Sequence, residues 1–227
     1  MRATLAPGRF RLLLLSLLVL ILGTTISARS EYDRLVEYSL LAVAVGIAIL
    51  ELRAPGQRRL VPMFVAACVI FVSVVDHSQR LRHWPLVASG LVAVFNGIVV
   101  WLVYGSAMRS HRPVGDRIVG AICVYLLIGL GFASVYETVD GVIPGSFRFP
   151  ADTAWTAAGA LRYRYFSFIT LATVGYGDAT PASALAGTLA SLEAIAGQLY
   201  IGITVARLVS LSLVERAGHG ERSKQDP

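Results

Sequence analysis

The sequence predicts an all-α membrane protein of six transmembrane helices, with a re-entrant half-helix and an extended, glycine-bearing segment between the fifth and the sixth. Three observations predict it. Of 227 residues, 56% are hydrophobic and only 15% charged, and the mean hydropathy is +0.66, more apolar surface than a soluble domain of this size buries. Six runs are poor in charge and near the roughly 20 residues that a helix needs to cross the hydrocarbon core. Only one intervening segment, Tyr136 to Pro181, is long.

The first run, Leu12–Ser27, ends at the polar "ARSEYDR". The second and third, Val36–Leu50 and Leu60–Val75, are separated by "ELRAPGQRR", whose Pro, Gly and charges break an apolar helix. "DHSQRLRHW" closes the third, and the fourth, Pro85–Tyr104, runs to "SAMRSHRPVGDR". The fifth is Ile118–Val135 and the sixth Ala182–Leu213. A basic start, an apolar core and small residues near Ala28 also fit a cleaved signal peptide, but the run is followed by further spans rather than by a soluble domain. Cys68 and Cys123 fall within spans and read as small buried hydrophobes.

Lysine and arginine set the expected orientation. With the N-terminus cytoplasmic, the inner segments carry twelve basic residues and the outer ones seven. Three of those seven, Arg148, Arg162 and Arg164, lie in the long segment, which translocates largely regardless of charge. The reading is a multi-pass protein of the cell membrane with both termini cytoplasmic. The formal charge of +6 then belongs to the membrane surface. No basic run with aromatic platforms points to nucleic acid.

Within the long segment, "YFSFITLAT" is too short to span and fits a half-membrane helix ending near Ala172, followed by "TVGYGD". Extended backbone at membrane depth is tolerated only where it is buried in protein or lines a water-filled cavity, because lipid satisfies neither N–H nor C=O. Gly175 and Gly177 accept φ > 0, which lets successive carbonyls point the same way rather than alternate. Such a ladder of oxygens can replace the hydration shell of a monovalent cation.

Tyr165 to Pro181, "YFSFITLATVGYGDATP", resembles the pore loop of the tetrameric potassium channels, whose "TVGYG" filter is the established case of such a carbonyl ladder. "EAIAGQLYIGITVARLV", Glu193 to Val209, resembles the inner helix of bacterial members. The likeness covers about Ile118 to Val209, and the first four helices match the family's peripheral helices only in number and position. It implies a pore helix and a selectivity filter in which carbonyls of Thr173, Val174, Gly175 and Tyr176, with the Thr173 hydroxyl, hold the ion. Gly177 and Asp178 would close the outer mouth. The family places an aromatic donor, often tryptophan, behind Asp178; here that position is Tyr165. Some relatives carry a glutamate four residues before the filter threonine, where this chain has Ile169.

The resemblance further places Gly197 at the inner-helix hinge, with close helix packing as the other reading of a small residue there. It turns Gln198 and Ile201 toward the water-filled cavity, although either position equally suits contact with the outer helix. Glu193 is a carboxylate near mid-span, and an intramembrane ionisable group is a functional candidate by default. Two roles stand for it: a structural hydrogen bond to a neighbouring pore helix through Ser167 or Thr170, or pH sensing.

The fourth span, "PLVASGLVAVFNGIVVWLVYG", carries no charge, unlike the arginine-studded fourth helix of voltage-gated relatives. The residues from Val214 onward are too few for a ligand-binding gating domain. The expected organisation is a peripheral membrane domain over residues 1–115, a pore domain over 116–213 and a short cytoplasmic tail over 214–227. The function implied is passive conduction of potassium through a homotetramer in the bilayer, not steeply voltage-gated. K+ is the permeant ion, and neither a cofactor nor enzymatic activity is expected. The rival is a non-conducting membrane scaffold or accessory subunit retaining the pore sequence.

Overall fold

A computed structural model describes residues 9–27, 84–108, 114–150 and 159–222. The expected spans at Val36–Leu50 and Leu60–Val75 lie outside the described residues. The elements, in chain order, are α1 (Arg9–Ser27), α2 (Trp84–Ala107), α3 (Val114–Val142), β1 (Phe147–Arg148), α4 (Leu161–Leu171), β2 (Thr180–Pro181) and α5 (Ala184–Arg222).

Three helices contain stretches long and apolar enough to cross a membrane: Gly90–Ala107 in α2, Val114–Val142 in α3 and Ala184–Ser210 in α5. The apolar stretch of α1, Phe10–Thr25, is shorter. Phe10, Leu13, Leu17 and Leu20 recur at helical spacing along one side of α1 and are buried with Val99 and Val103 of α2 and Cys123, Val124 and Leu127 of α3. Lipid is as apolar as leucine, so close packing, rather than escape from water, holds such helices together. Gly120 provides that closeness: a Cβ there would stand 2.7 Å from the Ala107 Cβ.

Several helices run beyond the apolar stretches expected from the sequence, α5 among them, which continues past Leu213 to Arg222, and the reason is the same for each. α3 continues past Val135 through Glu137 and Asp140 to Val142, and α4 begins at Leu161, before the apolar "YFSFITLAT". Polar residues mark the edge of an apolar run but do not end a helix whose backbone bonds continue past it.

The second core frames the loop. Tyr136, Phe147, Tyr163 and Phe166 bury their rings against Ala133, Ala179, Ala186 and Ala190, and several pack edge-on, with Tyr136 and Phe166 centroids 5.1 Å apart. β1 pairs antiparallel with β2, Phe147 opposite Pro181 and Arg148 opposite Thr180. The Ser146 carbonyl accepts the amides of Ala182, at 2.7 Å, and Ser183, at 3.3 Å. These bonds tie the return limb of the loop to the segment following α3.

Candidate functional site

α4 ends at Leu171, and its last carbonyls organise the segment that follows. Ala172 N–H donates to the Phe168 carbonyl at 3.0 Å, Thr173 N–H to Thr170 at 2.9 Å, and Val174 N–H to Ile169 at 2.8 Å; Gly175 N–H also reaches Ile169 at 3.2 Å. The amides of the segment therefore face back into the helix end, supplying orphan carbonyls with partners. Among the described residues, no N–H donates to the carbonyls from Thr173 to Gly177.

The backbone alternates. Thr173, Gly175 and Gly177 take φ of 56°, 53° and 82°, while Val174 and Tyr176 between them do not enter the left-handed region. Alternation of this kind turns successive carbonyls toward one side, where a regular strand would send them to opposite sides. Gly175 and Gly177 adopt it without a Cβ penalty. The sequence had not pointed to Thr173 as a third left-handed residue, and for a β-branched side chain this conformation is strained. Its amide bond to Thr170 and a hydrogen bond donated by Gln198 Nε2 to its hydroxyl at 3.3 Å hold it there.

Asp178 is anchored on both oxygens. Its Oδ1 accepts the Ala179 N–H at 2.9 Å, and Oδ2 accepts the Tyr165 hydroxyl at 2.6 Å. That donation to a carboxylate, helped by desolvation, pushes the tyrosine pKa up to about 12. Tyr163, one turn from Ser167, donates instead to Asp140 Oδ2 at 2.5 Å, and Arg162 joins them, 3.6 Å from the same carboxylate oxygen.

Behind the segment, Glu193 of α5 is fully buried. Its Oε1 lies 2.5 Å from the Ser167 hydroxyl of α4, and its Oε2 accepts the Tyr136 hydroxyl of α3. Ser167 also donates to the Gly129 carbonyl at 2.7 Å. Hydrogens can be counted here. A carbonyl only accepts, so the single Ser167 hydrogen goes to Gly129 and the Tyr136 hydrogen to Oε2. The remaining contact, Ser167 to Oε1, needs a hydrogen on Glu193 itself, and the arrangement suits a neutral carboxylic acid. One residue thus joins α3, α4 and α5 within the same chain.

Tyr136 and Gly129 were not singled out in the sequence. They lie seven residues apart on one face of α3, and a Cβ at Gly129 would stand 2.5 Å from the Phe168 ring. Gly197 is similarly constrained, with the Leu171 carbonyl oxygen 2.3 Å from where its Cβ would be. Ile201 is exposed on α5 and joins none of these contacts. A further link, unforeseen in the sequence, runs to α1: Arg164 of α4 is buried and donates to the Thr24 hydroxyl at 2.6 Å.

Chemically, the site is a row of backbone oxygens left without protein donors, fixed by a helix end and by side-chain hydrogen bonds around it. Among the described residues no three His, Cys, Asp or Glu side chains cluster as a metal site. The row of oxygens can hold a cation by carbonyl dipoles. No curated protein and no solved structure matches the chain. A family model described as an ion channel matches residues 92–212, more than half of the sequence and the whole of α3, α4 and the filter-like segment. The chain belongs to that ion channel family.

Proposed function

We propose that the protein is a potassium-selective channel, a homotetramer in which Thr173, Val174, Gly175 and Tyr176 of four chains surround one ion path. The observation that carries this reading is the alternating backbone from Thr173 to Gly177 with its unpaired carbonyls. In the isolated chain that segment is exposed, Val174 by 50% and Tyr176 by 72%. Unpaired carbonyls at membrane depth are stable only around water or an ion. One strand cannot encircle an ion; closed rotational symmetry supplies the other three.

Conduction then follows from the geometry. Carbonyl oxygens replace the hydration shell of a weakly hydrated cation, and neighbouring sites let one ion displace the next. The Thr173 hydroxyl adds an inner ligand, oriented by Gln198. The Tyr165–Asp178 bond steadies the outer end, and Glu193 steadies the rear. The chain lies in the cell membrane with its termini cytoplasmic, as the lysine and arginine distribution favours.

Purified protein in liposomes tests the proposal. A potassium gradient should drive rapid flux, sodium should permeate far less, and cross-linking should report four copies. Tetramers that pass neither ion would establish the scaffold reading instead.

A further inference from the structure

Arg164 stands in the first turn of α4 and is buried, a place unfavourable on two counts. The positive end of a helix dipole repels a cation, and a guanidinium, which keeps its charge, is costly to bury unless it is hydrogen-bonded. Its partner on α1 is Thr24, itself buried, whose hydroxyl accepts from Nη1 at 2.6 Å. The same hydroxyl donates to the Leu20 carbonyl at 2.7 Å, so its hydrogen is committed to the α1 backbone and its lone pairs are left for the arginine. An acceptor fixed in this way transmits the position of one helix to the other.

The helix that supplies the acceptor is itself anchored. Near its other end, about 21 Å from Thr24 along the axis, Phe10 packs on α3: a Cβ at Gly120 would meet its ring at 3.2 Å, and its carbonyl accepts from Cys123 Sγ at 3.7 Å. All of α1 precedes residues 92–212, the stretch that matches the ion channel family. At the far side of α4, about 8 Å from Arg164 along the axis, the Ile169 carbonyl accepts the amides of Val174 and Gly175. A displacement of α4 therefore moves those amides and the carbonyls beside them.

We infer that Arg164 is a positioning residue for the segment from Thr173 to Gly177, and that its bond to Thr24 makes α1 part of the frame that sets how tightly this segment holds potassium. The inference deepens the proposed channel function and rests on it. Ser167, one turn further along α4, is bonded to Gly129 of α3 and Glu193 of α5; Arg164 adds a hold from outside the matched stretch. A bond that only braced the helices would contribute stability alone. A bond that sets the segment contributes to ion affinity as well, and the two contributions separate by measurement.

The test follows thermal unfolding of the full chain, assembled in lipid nanodiscs, across a series of potassium concentrations with choline holding the ionic strength constant. An ion that binds only the folded assembly raises the unfolding midpoint, and the concentration at which the rise begins reports its affinity. Thr24→Val keeps the shape of the side chain and removes the acceptor. The onset concentration should increase several-fold in this variant, and Thr24→Ser, which keeps the hydroxyl, should restore it. Thr24→Ala, which admits water to the guanidinium, should shift the onset less but in the same direction, and it decides the matter if the valine variant does not assemble. A midpoint lowered by the same amount at every potassium concentration, with the onset unchanged, would overturn the inference: α1 then braces the fold and leaves the segment alone. Failure of the channel reading is a different result, seen in the unaltered protein, whose midpoint potassium would then raise no more than choline does.

Discussion

Gly197 of α5 abuts the Leu171 carbonyl that ends α4, so closely that a Cβ would stand 2.3 Å from that oxygen. The carbonyl belongs to the backbone carrying the filter-like segment, so it cannot yield as a flexible side chain would. Of the two readings of Gly197, the close approach is what the geometry displays, and the glycine sits where helix swing and filter position are felt together.

Gly197→Ala should therefore disturb the filter itself, and not only bias the conformation of the inner helix. Overpacking of this kind costs on the order of 1–3 kcal/mol per chain. The expected result is lower thermal stability of the assembled protein and a reduced potassium-to-sodium flux ratio. Normal selectivity with altered open probability would restore the hinge reading.

The left-handed turns at Gly175 and Gly177 were legible in the sequence because glycine answers a backbone requirement, and the pairing of Tyr165 with Asp178 because aromatic and carboxylate both fall on the motif. The frame behind it was less so. Ser167 was a foreseeable partner of Glu193, but Tyr136 is not: an aromatic at the end of an apolar run reads as an interface anchor. Its hydroxyl finds Glu193 only after three helices pack. Thr173 in the left-handed region contradicts its own local preference, which tertiary bonds override. Glycines such as Gly129 carry no mark in sequence that tells close approach from mere smallness.

Glu193→Gln should assemble and conduct much as the unaltered protein does. An amide accepts from Tyr136 through oxygen and donates to Ser167 through nitrogen, reproducing the neutral acid. Glu193→Leu strands the Tyr136 hydroxyl and should destabilise each chain by about 1–3 kcal/mol. Flux measured between about pH 5 and 8 separates the roles. A structural Glu193 gives superimposable profiles in the unaltered protein and the glutamine variant, whereas a sensor loses its pH response on substitution.

Tyr165→Phe removes the donor to Asp178 Oδ2 without changing the ring. Water reaches this end of the loop and replaces part of the bond, so the loss should be modest, about 1 kcal/mol. The variant should conduct with faster run-down and lower stability in low potassium. Tyr165→Trp, which keeps a ring donor, should recover most of both in single-channel recordings. Equal behaviour of the two variants would argue that the Asp178 contact contributes nothing to the filter.

Open probability should depend weakly on voltage. The membrane-crossing stretch of α2, Gly90–Ala107, contains no Asp, Glu, Lys or Arg. Each elementary charge moved across the bilayer supplies only about 2.3 kcal/mol per 100 mV, so steep gating needs several. Recordings in symmetrical potassium should give a shallow relation between opening and voltage. A gating valence of several charges would require a carrier elsewhere in the chain.

Gly175→Ala and Gly177→Ala should each abolish selective flux, for a reason that differs from the Gly197 case. No neighbouring atom lies within 4 Å of a Cβ at either position, so the obstacle is conformational and not steric contact with the surroundings. At φ of 53° and 82° an alanine is disfavoured by about 1–2 kcal/mol per residue, and a homotetramer would incur this four times around one ring. Relaxing the strain rotates the adjacent peptide and turns its carbonyl out of the ladder. The outer frame, held by Tyr165, Asp178 and the β1–β2 pairing, does not depend on either glycine, so assembly should persist. Tetramers that form normally but pass potassium no faster than sodium are the expected result. Full potassium selectivity in both variants would mean that these carbonyls do not hold the ion.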